Sequence, residues 1–319
     1  MLSQGIWTAL VTPLDTQGAL NEVALRRLVD LSLRGGVHGV VFAGTTGEGA
    51  FLSRPVRYQG LAAVLSEVSG RVPVLMGIEE CRPEDVREAV QQAKHGGADA
   101  VVVAPPYYER LTDPEIEAFY VDVVEKADFP TVLYHIPQRT HNPLAVEVVA
   151  RLAKDPRVVG LKDSGGDLDY FRALTQRVPP DTLRCWMGFA GSLEDCMAAQ
   201  GDGVICAVAN VLPHEVRGLW DAVVDAPKRV NGHESLALIR DLERMARQGG
   251  GLRLWKAAVE WILEEPVSLA APLLPVSASE REQLMHLLRP VKERERGTRG
   301  GEALPSSALP GVAQRSSRR

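Results

Sequence analysis

TVLYHIPQRTHNPLAVEVVARLAKDPRVVGLKDSGGD, residues 131–167, reads as strand, loop, helix and strand in close succession. Its outer apolar runs, 131–134 and 158–162, are short, rich in β-branched residues and not interrupted by polar positions. Strands of that kind are buried on both faces, which is the habit of parallel sheets. Between them, 143–153 carries an amphipathic helical pattern opened by Asn142-Pro143, a capping residue before a first-turn proline. The stretch is therefore one βαβ unit.

Working outward, the same alternation recurs along the chain. Further strands are expected at 6–11, 39–43, 72–77, 100–104, 183–187 and 203–208, with helices at 21–34, 54–68, 83–95, 114–126, 168–176 and 193–200. Asp113-Pro114 and Ser53 supply helix starts, and Gly35-Gly36 and Gly96-Gly97 supply helix ends. Eight strands, each followed by a helix, suit a closed (β/α)8 TIM barrel of the α/β class. A doubly wound open sheet fits less well, because no GxGxxG follows the first strand. Helical patterns at 214–224, 232–247, 252–263 and 279–288 form a C-terminal helical extension. The expected organisation is a barrel over 1–210, a helical subdomain packed on it over 211–291, and a disordered tail over 292–319. That tail is charged, then rich in Gly, Pro and Ser.

Composition narrows the function. The 319 residues are 45% hydrophobic and 24% charged with a net charge of −5, so neither nucleic acid nor an anionic membrane is an expected partner. Aromatic residues make up only 5%, too few for a base-stacking platform. Cys81, Cys185, Cys196 and Cys206 show no CxxC spacing, and no run approaches a membrane span. No leader-like segment opens the chain, so a cytoplasmic setting is expected.

Reactive groups of such barrels stand at the carboxyl ends of the strands. Four segments there are unusual: GTTGEG (44–49), PPYYER (105–110), YHIPQRT (134–140) and GLKDSGGD (160–167). Only seven lysines occur, most on expected charged helical faces or in the tail, whereas Lys162 follows Val158-Val159-Gly160-Leu161 into the barrel mouth. A buried ammonium must pair or lose its proton. Lys162 is thus either a partner for a carboxylate such as Asp163 or a neutral amine able to attack a carbonyl carbon. Tyr134 ends the adjacent strand and could shuttle protons for such an amine, or be a core phenol. The backbone and hydroxyls of GTTGEG could hold a carboxylate, or form a plain turn. Arg139 suits a second carboxylate, or solvent. His135 and His141 lack a third ligand at metal spacing, and no GxSxG elbow is present.

In this order and spacing, GTTGEG, PYY, Y-x-I-P and G-x-K-[DE] resemble the dihydrodipicolinate synthase / N-acetylneuraminate lyase family, over roughly residues 5–290. The resemblance implies a class I lyase in which Lys162 forms an imine with pyruvate and Tyr134 is the general acid/base. Thr46 would link Tyr134 to Tyr108, contributed across a dimer interface. Thr45 and Thr46 would cradle the pyruvate carboxylate, with Gly188 and Ile205 also binding substrate. Arg139 would receive the carboxylate of aspartate semialdehyde. No cofactor or metal is implied, and the expected partners are small-molecule substrates and further copies of the chain, as dimer or tetramer.

Some segments depart from the synthase pattern. GLKDSGGD and VICAVANVLP look more like aldolases of 4-hydroxy-2-oxoglutarate or 2-keto-3-deoxy sugar acids, which release pyruvate by the same chemistry in reverse. GIEECRP replaces the loop where lysine would bind, so lysine feedback is not expected. Gly188-Phe189 stands where synthases carry Gly-Asp, and His141 stands where they carry glycine. Two further readings accompany the synthase: a cleaving 2-oxo acid aldolase, and a non-catalytic 2-oxo acid sensor.

Overall fold

The computed structural model describes residues 2–179, 182–224 and 232–300. Eight parallel strands pair in chain order and close on themselves: β1 (Gly5–Ala9), β2 (Gly39–Phe42), β3 (Val74–Ile78), β4 (Ala100–Val103), β5 (Thr131–His135), β6 (Val158–Asp163), β7 (Arg184–Met187) and β8 (Gly203–Cys206). Each expected strand is present, with ends shifted by two residues or fewer. Around them lie α1 (Glu22–Arg34), α2 (Arg54–Val68), α3 (Pro83–Gly96), α4 (Asp113–Ala127), α5 (Pro137–Thr140), α6 (Val146–Leu152), α7 (Leu168–Arg177) and α8 (Leu193–Ala198). The extension follows as α9 (Pro213–Val224), α10 (Gly232–Met245), α11 (Gly251–Leu263) and α12 (Ala278–Gly300).

Two apolar cores follow from the two-residue period of a strand. Outward-facing positions such as Leu133, Leu161 and Val204 pack under the helices. Inward-facing positions, among them Trp7, Val41, Leu75, Val102, Val132, Trp186 and Ile205, fill the barrel. Trp7 and Trp186 meet edge to face there, with ring centroids 5.8 Å apart. Glycines make room for them: a Cβ on Gly39 would overlap the Trp7 indole, and one on Gly160 the Trp186 indole. Gly160 therefore faces inward, and the same period turns Lys162, two residues on, into the barrel mouth.

Three local expectations need correction. Helix α6 begins at Val146 rather than 143, because Asn142 is spent on the preceding loop. Its amide donates to the Pro106 and Glu109 carbonyls at 2.7 Å each, and its carbonyl accepts the Leu111 N–H at 2.7 Å. Helix α4 is capped by Thr112, not Asp113, through a reciprocal capping box with Glu115. The expected disordered tail begins too early, since α12 continues to Gly300 with Val291, Lys292 and Glu295 buried. Lys292 pairs with Glu264 at 2.8 Å and lies 3.6 Å over the Trp261 ring, while Glu295 reaches Arg34 at 3.4 Å. Apolar stems and an aromatic face thus compensate for a run that reads as solvated. The rest of the expected tail, 301–319, lies outside the described residues.

Candidate active site

β5 and β6 pair in parallel with Tyr134 opposite Lys162, and β7 places Trp186 opposite Lys162 on the other side. Lys162 is only 6% exposed, and its Nζ lies 4.4 Å from the centroid of the Tyr134 ring. Asp163, one residue on, faces the opposite side of the strand and accepts the Gly165 N–H at 2.7 Å. Burial lifts its pKa to about 6. The structure shows no ion pair between Lys162 and a carboxylate among the described residues. Of the two readings left open for Lys162, a structural salt bridge to Asp163 is therefore removed.

These groups open onto a cavity of about 620 Å³ at the carboxyl end of the barrel. Thr45, Thr46, Tyr134, Arg139, Lys162, Gly188 and Ile205 all line it, so seven of the eight residues singled out in the sequence converge. Tyr108 does not line it: it is 87% exposed on the loop after β4, beside a less exposed Tyr107. Thr46 makes no hydrogen bond to Tyr134 within the chain; the Tyr134 oxygen instead accepts from Ser164 Oγ at 3.4 Å. Ser164 was visible in GLKDSGGD, but its reach to the phenol depends on the β5–β6 register.

Thr45 and Thr46 sit on a single 3₁₀ turn, Thr45–Gly47, which ends at Glu48 in a left-handed conformation. Glu48 and Lys256 of α11 form a buried ion pair, and Lys256 is 1% exposed. Lys256 also donates to the Ser268 carbonyl at 2.6 Å, and Glu48 accepts the Ala270 N–H at 3.2 Å. The extension thereby fixes the turn that carries both threonines. The Thr45 hydroxyl donates to Glu79 at the end of β3. Burial raises the Glu79 pKa, while Thr45 and the charge on Lys162 pull it down. Glu79 belongs to GIEECRP, which sequence reading marked as a departure without giving it a place in the site.

The roof comes from the extension. Glu243, Ala246, Arg247, Gly251 and Trp255 line the cavity, contributed by α10, a kinked turn at Ala246–Gly250 whose Gly249 is non-helical (φ 173°), and α11. The Glu243 carboxylate accepts the Ala190 and Gly191 N–H groups at 2.7 and 3.2 Å, and burial lifts its pKa to about 7. Arg247 stacks on Phe189, its guanidinium carbon 4.0 Å from the ring centroid. His135 is buried with a pKa lowered to about 4 by desolvation, accepts the Leu144 N–H at 3.2 Å, and lies against Tyr170. Among the described residues no three His, Cys, Asp or Glu side chains group so as to hold a metal ion. Nor is any described helix long and apolar enough to cross a membrane.

The arrangement is a buried primary amine beside a phenol, with hydroxyls on one flank and a guanidinium on another. It suits addition of the amine to a carbonyl whose substituents are anionic. Comparison with known proteins points the same way. The profile of the Dihydrodipicolinate synthetase family matches residues 2–291. The 4-hydroxy-tetrahydrodipicolinate synthase of Stutzerimonas stutzeri is 32% identical over 282 residues, 83% of this chain and 96% of that protein. That of Staphylococcus carnosus is 32% identical over 291 residues, 89% and 95% of the two chains. Dihydrodipicolinate synthase of Thermotoga maritima superposes with a TM-score of 0.84 at 29% identity, covering 91% of this chain and 99% of that one. YagE of E. coli K12, a member of the same family solved in complex with pyruvate, gives 0.84 at 25% identity over 92% and 99%.

Proposed function

The chain belongs to the dihydrodipicolinate synthetase family of pyruvate-dependent lyases, and from that premise we propose that Lys162 carries the reaction as an imine with pyruvate. The observation that carries the assignment is the register pairing of Lys162 with Tyr134, with the buried amine at the floor of an open cavity. The amine attacks C2 of pyruvate to give a carbinolamine, and loss of water leaves the imine. Removal of a C3 proton then gives an enamine, whose C3 forms a bond to an aldehyde carbon. Tyr134 moves the protons of these steps, and Ser164 orients its oxygen.

Thr45 and Thr46 receive the pyruvate carboxylate through their backbone N–H groups, the Thr45 hydroxyl being given to Glu79, with Gly188 and Ile205 bounding the C3 side. Arg139 receives the carboxylate of the incoming aldehyde, of which aspartate semialdehyde is the first candidate. The chemistry calls for neither metal nor organic cofactor. Exposed Tyr107, Tyr108 and Phe51 mark a face for a second copy of the chain, from which Tyr108 would reach Thr46 and complete a proton path to Tyr134. The assembly is a homodimer or a tetramer built from two dimers, and four free thiols fit a cytoplasmic setting.

Borohydride reduction in the presence of pyruvate tests the reading. A covalent adduct mapped to Lys162, absent in Lys162→Ala and formed about 10²- to 10⁴-fold more slowly in Tyr134→Phe, is the expected result. A wild-type chain that gains no mass would instead be a 2-oxo acid sensor. Turnover of pyruvate with aspartate semialdehyde, set beside cleavage of 4-hydroxy-2-oxoglutarate and 2-keto-3-deoxygluconate, fixes the direction; faster cleavage would displace the synthase assignment.

A further inference from the structure

We infer that Arg247 is a second anion-binding residue of this site, and that the adduct it accommodates carries a carboxylate at both ends. This inference rests on the imine reading and adds a second residue, besides Arg139, to the receptor for the distal carboxylate. Barrel order supplies the geometry. Arg139 follows β5, Lys162 ends β6, and Arg247 stacks on Phe189 just after β7. Both guanidinium groups therefore line the same cavity as the lysine.

Neither guanidinium has an ion-pair partner among the described residues. The carboxylate facing this wall, Glu243, has both oxygens engaged by the Ala190 and Gly191 N–H groups. It lies within electrostatic reach of Arg247, but burial raises its pKa to about 7, so it compensates that charge only in part. Stacking on Phe189 orders the Arg247 side chain while leaving its in-plane N–H donors toward the cavity. Arg247 lies in the kinked turn Ala246–Gly250, and the Gly251 that follows has φ +50° and passes close to Arg139, whose Nη2 would lie 3.8 Å from a Cβ there. Once a pyruvate carboxylate is held at Thr45 and Thr46, the two guanidiniums still await a negative charge. A terminal carboxylate on the distal half meets that need, and a neutral polyol chain does not. The site is thus built for 2-oxo dicarboxylates and carboxylated aldehydes rather than for sugar acids.

The test compares wild type with Arg247→Gln and Arg247→Lys in three assays. Deuterium exchange at C3 of pyruvate in heavy water reports imine and enamine formation without any aldehyde. Its loss in both variants should be at least about fivefold smaller than the loss in condensation, a gap of roughly 1 kcal/mol. Condensation with aspartate semialdehyde should show KM raised about 10- to 100-fold in Arg247→Gln, with Arg247→Lys between. Condensation with glyceraldehyde should lose less than condensation with aspartate semialdehyde. The third assay, calorimetric binding of 2-oxoglutarate against pyruvate, needs no turnover, and Arg247→Gln should weaken the first ligand alone. Unchanged KM for aspartate semialdehyde, or unchanged 2-oxoglutarate binding, overturns the inference. Absent exchange in wild type overturns the imine reading instead, and the binding assay then still decides the role of Arg247.

Discussion

Replacing Lys256 with methionine should cost far more than the loss of one surface charge. The side chain is 1% exposed, and the substitution removes its bonds to Glu48 and to the Ser268 carbonyl, the latter 2.6 Å long. Glu48 Oε2 would keep only the Ala270 N–H at 3.2 Å, while Oε1 already has no partner. Breaking a buried pair from one side costs about 3–5 kcal/mol. With an unfolding entropy of roughly 2.1 cal/mol/K per residue, a chain of this length should lose about 5–7 °C in Tm. The pH dependence carries a definite sign. Burial raises the Glu48 pKa and Lys256 lowers it, so removing the lysine raises it further. A carboxyl whose folded pKa exceeds its unfolded value binds more protons when folded, and stability then falls as pH rises through that window. The deficit of Lys256→Met relative to wild type should accordingly be larger at pH 8 than at pH 5. Thermal and urea unfolding followed by circular dichroism at both pH values measures this, and the double variant with Glu48→Gln should lose less than the sum of the singles. A Lys256→Met chain within about 1 kcal/mol of wild type at pH 8, a difference small beside the expected cost, would refute the reasoning. So would a deficit equal at the two pH values.

Two other outcomes follow from particular side chains. Asn142→Ala removes three 2.7 Å hydrogen bonds to the 106–111 loop. It should destabilise the chain by about 1–3 kcal/mol and speed amide exchange in that loop, whereas unchanged exchange rates would show that the loop holds itself. Glu243 has its pKa raised to about 7, so its folded form binds more protons than the unfolded form between about 4.5 and 7. Wild type should lose roughly 3 kcal/mol across that window from this group alone. The Tm of Glu243→Gln relative to wild type should therefore be higher at pH 8 than at pH 5, and a constant offset would remove Glu243 as the source.

The barrel was legible because its strands are continuous apolar runs, a pattern set by burial on both faces and written locally in sequence. Lys162 and Tyr134 were legible for a related reason: each ends such a run, and the two runs are consecutive in a parallel barrel. Arg247, Glu243 and Trp255 were not, since no local periodicity says which face of a later helix will roof a cavity. Glu79 was noticed only as a departure, because its bond to Thr45 joins the ends of two different strands. Asn142 resembled a helix cap because the same side chain suits a cap and a loop clamp, and only tertiary contacts choose between them. Lys292 and Glu295 misled by composition, which records charge but not the aromatic ring or the arginine waiting for them.

The continuation of α12 past residue 291 bears on how shorter versions of this protein should be cut. The family profile ends at residue 291, so a gene trimmed to that profile would stop in mid-helix. It would strip the cover from Trp261 and leave Arg34 without the carboxylate it reaches in α12. A boundary placed after Gly300 keeps that strap fastened.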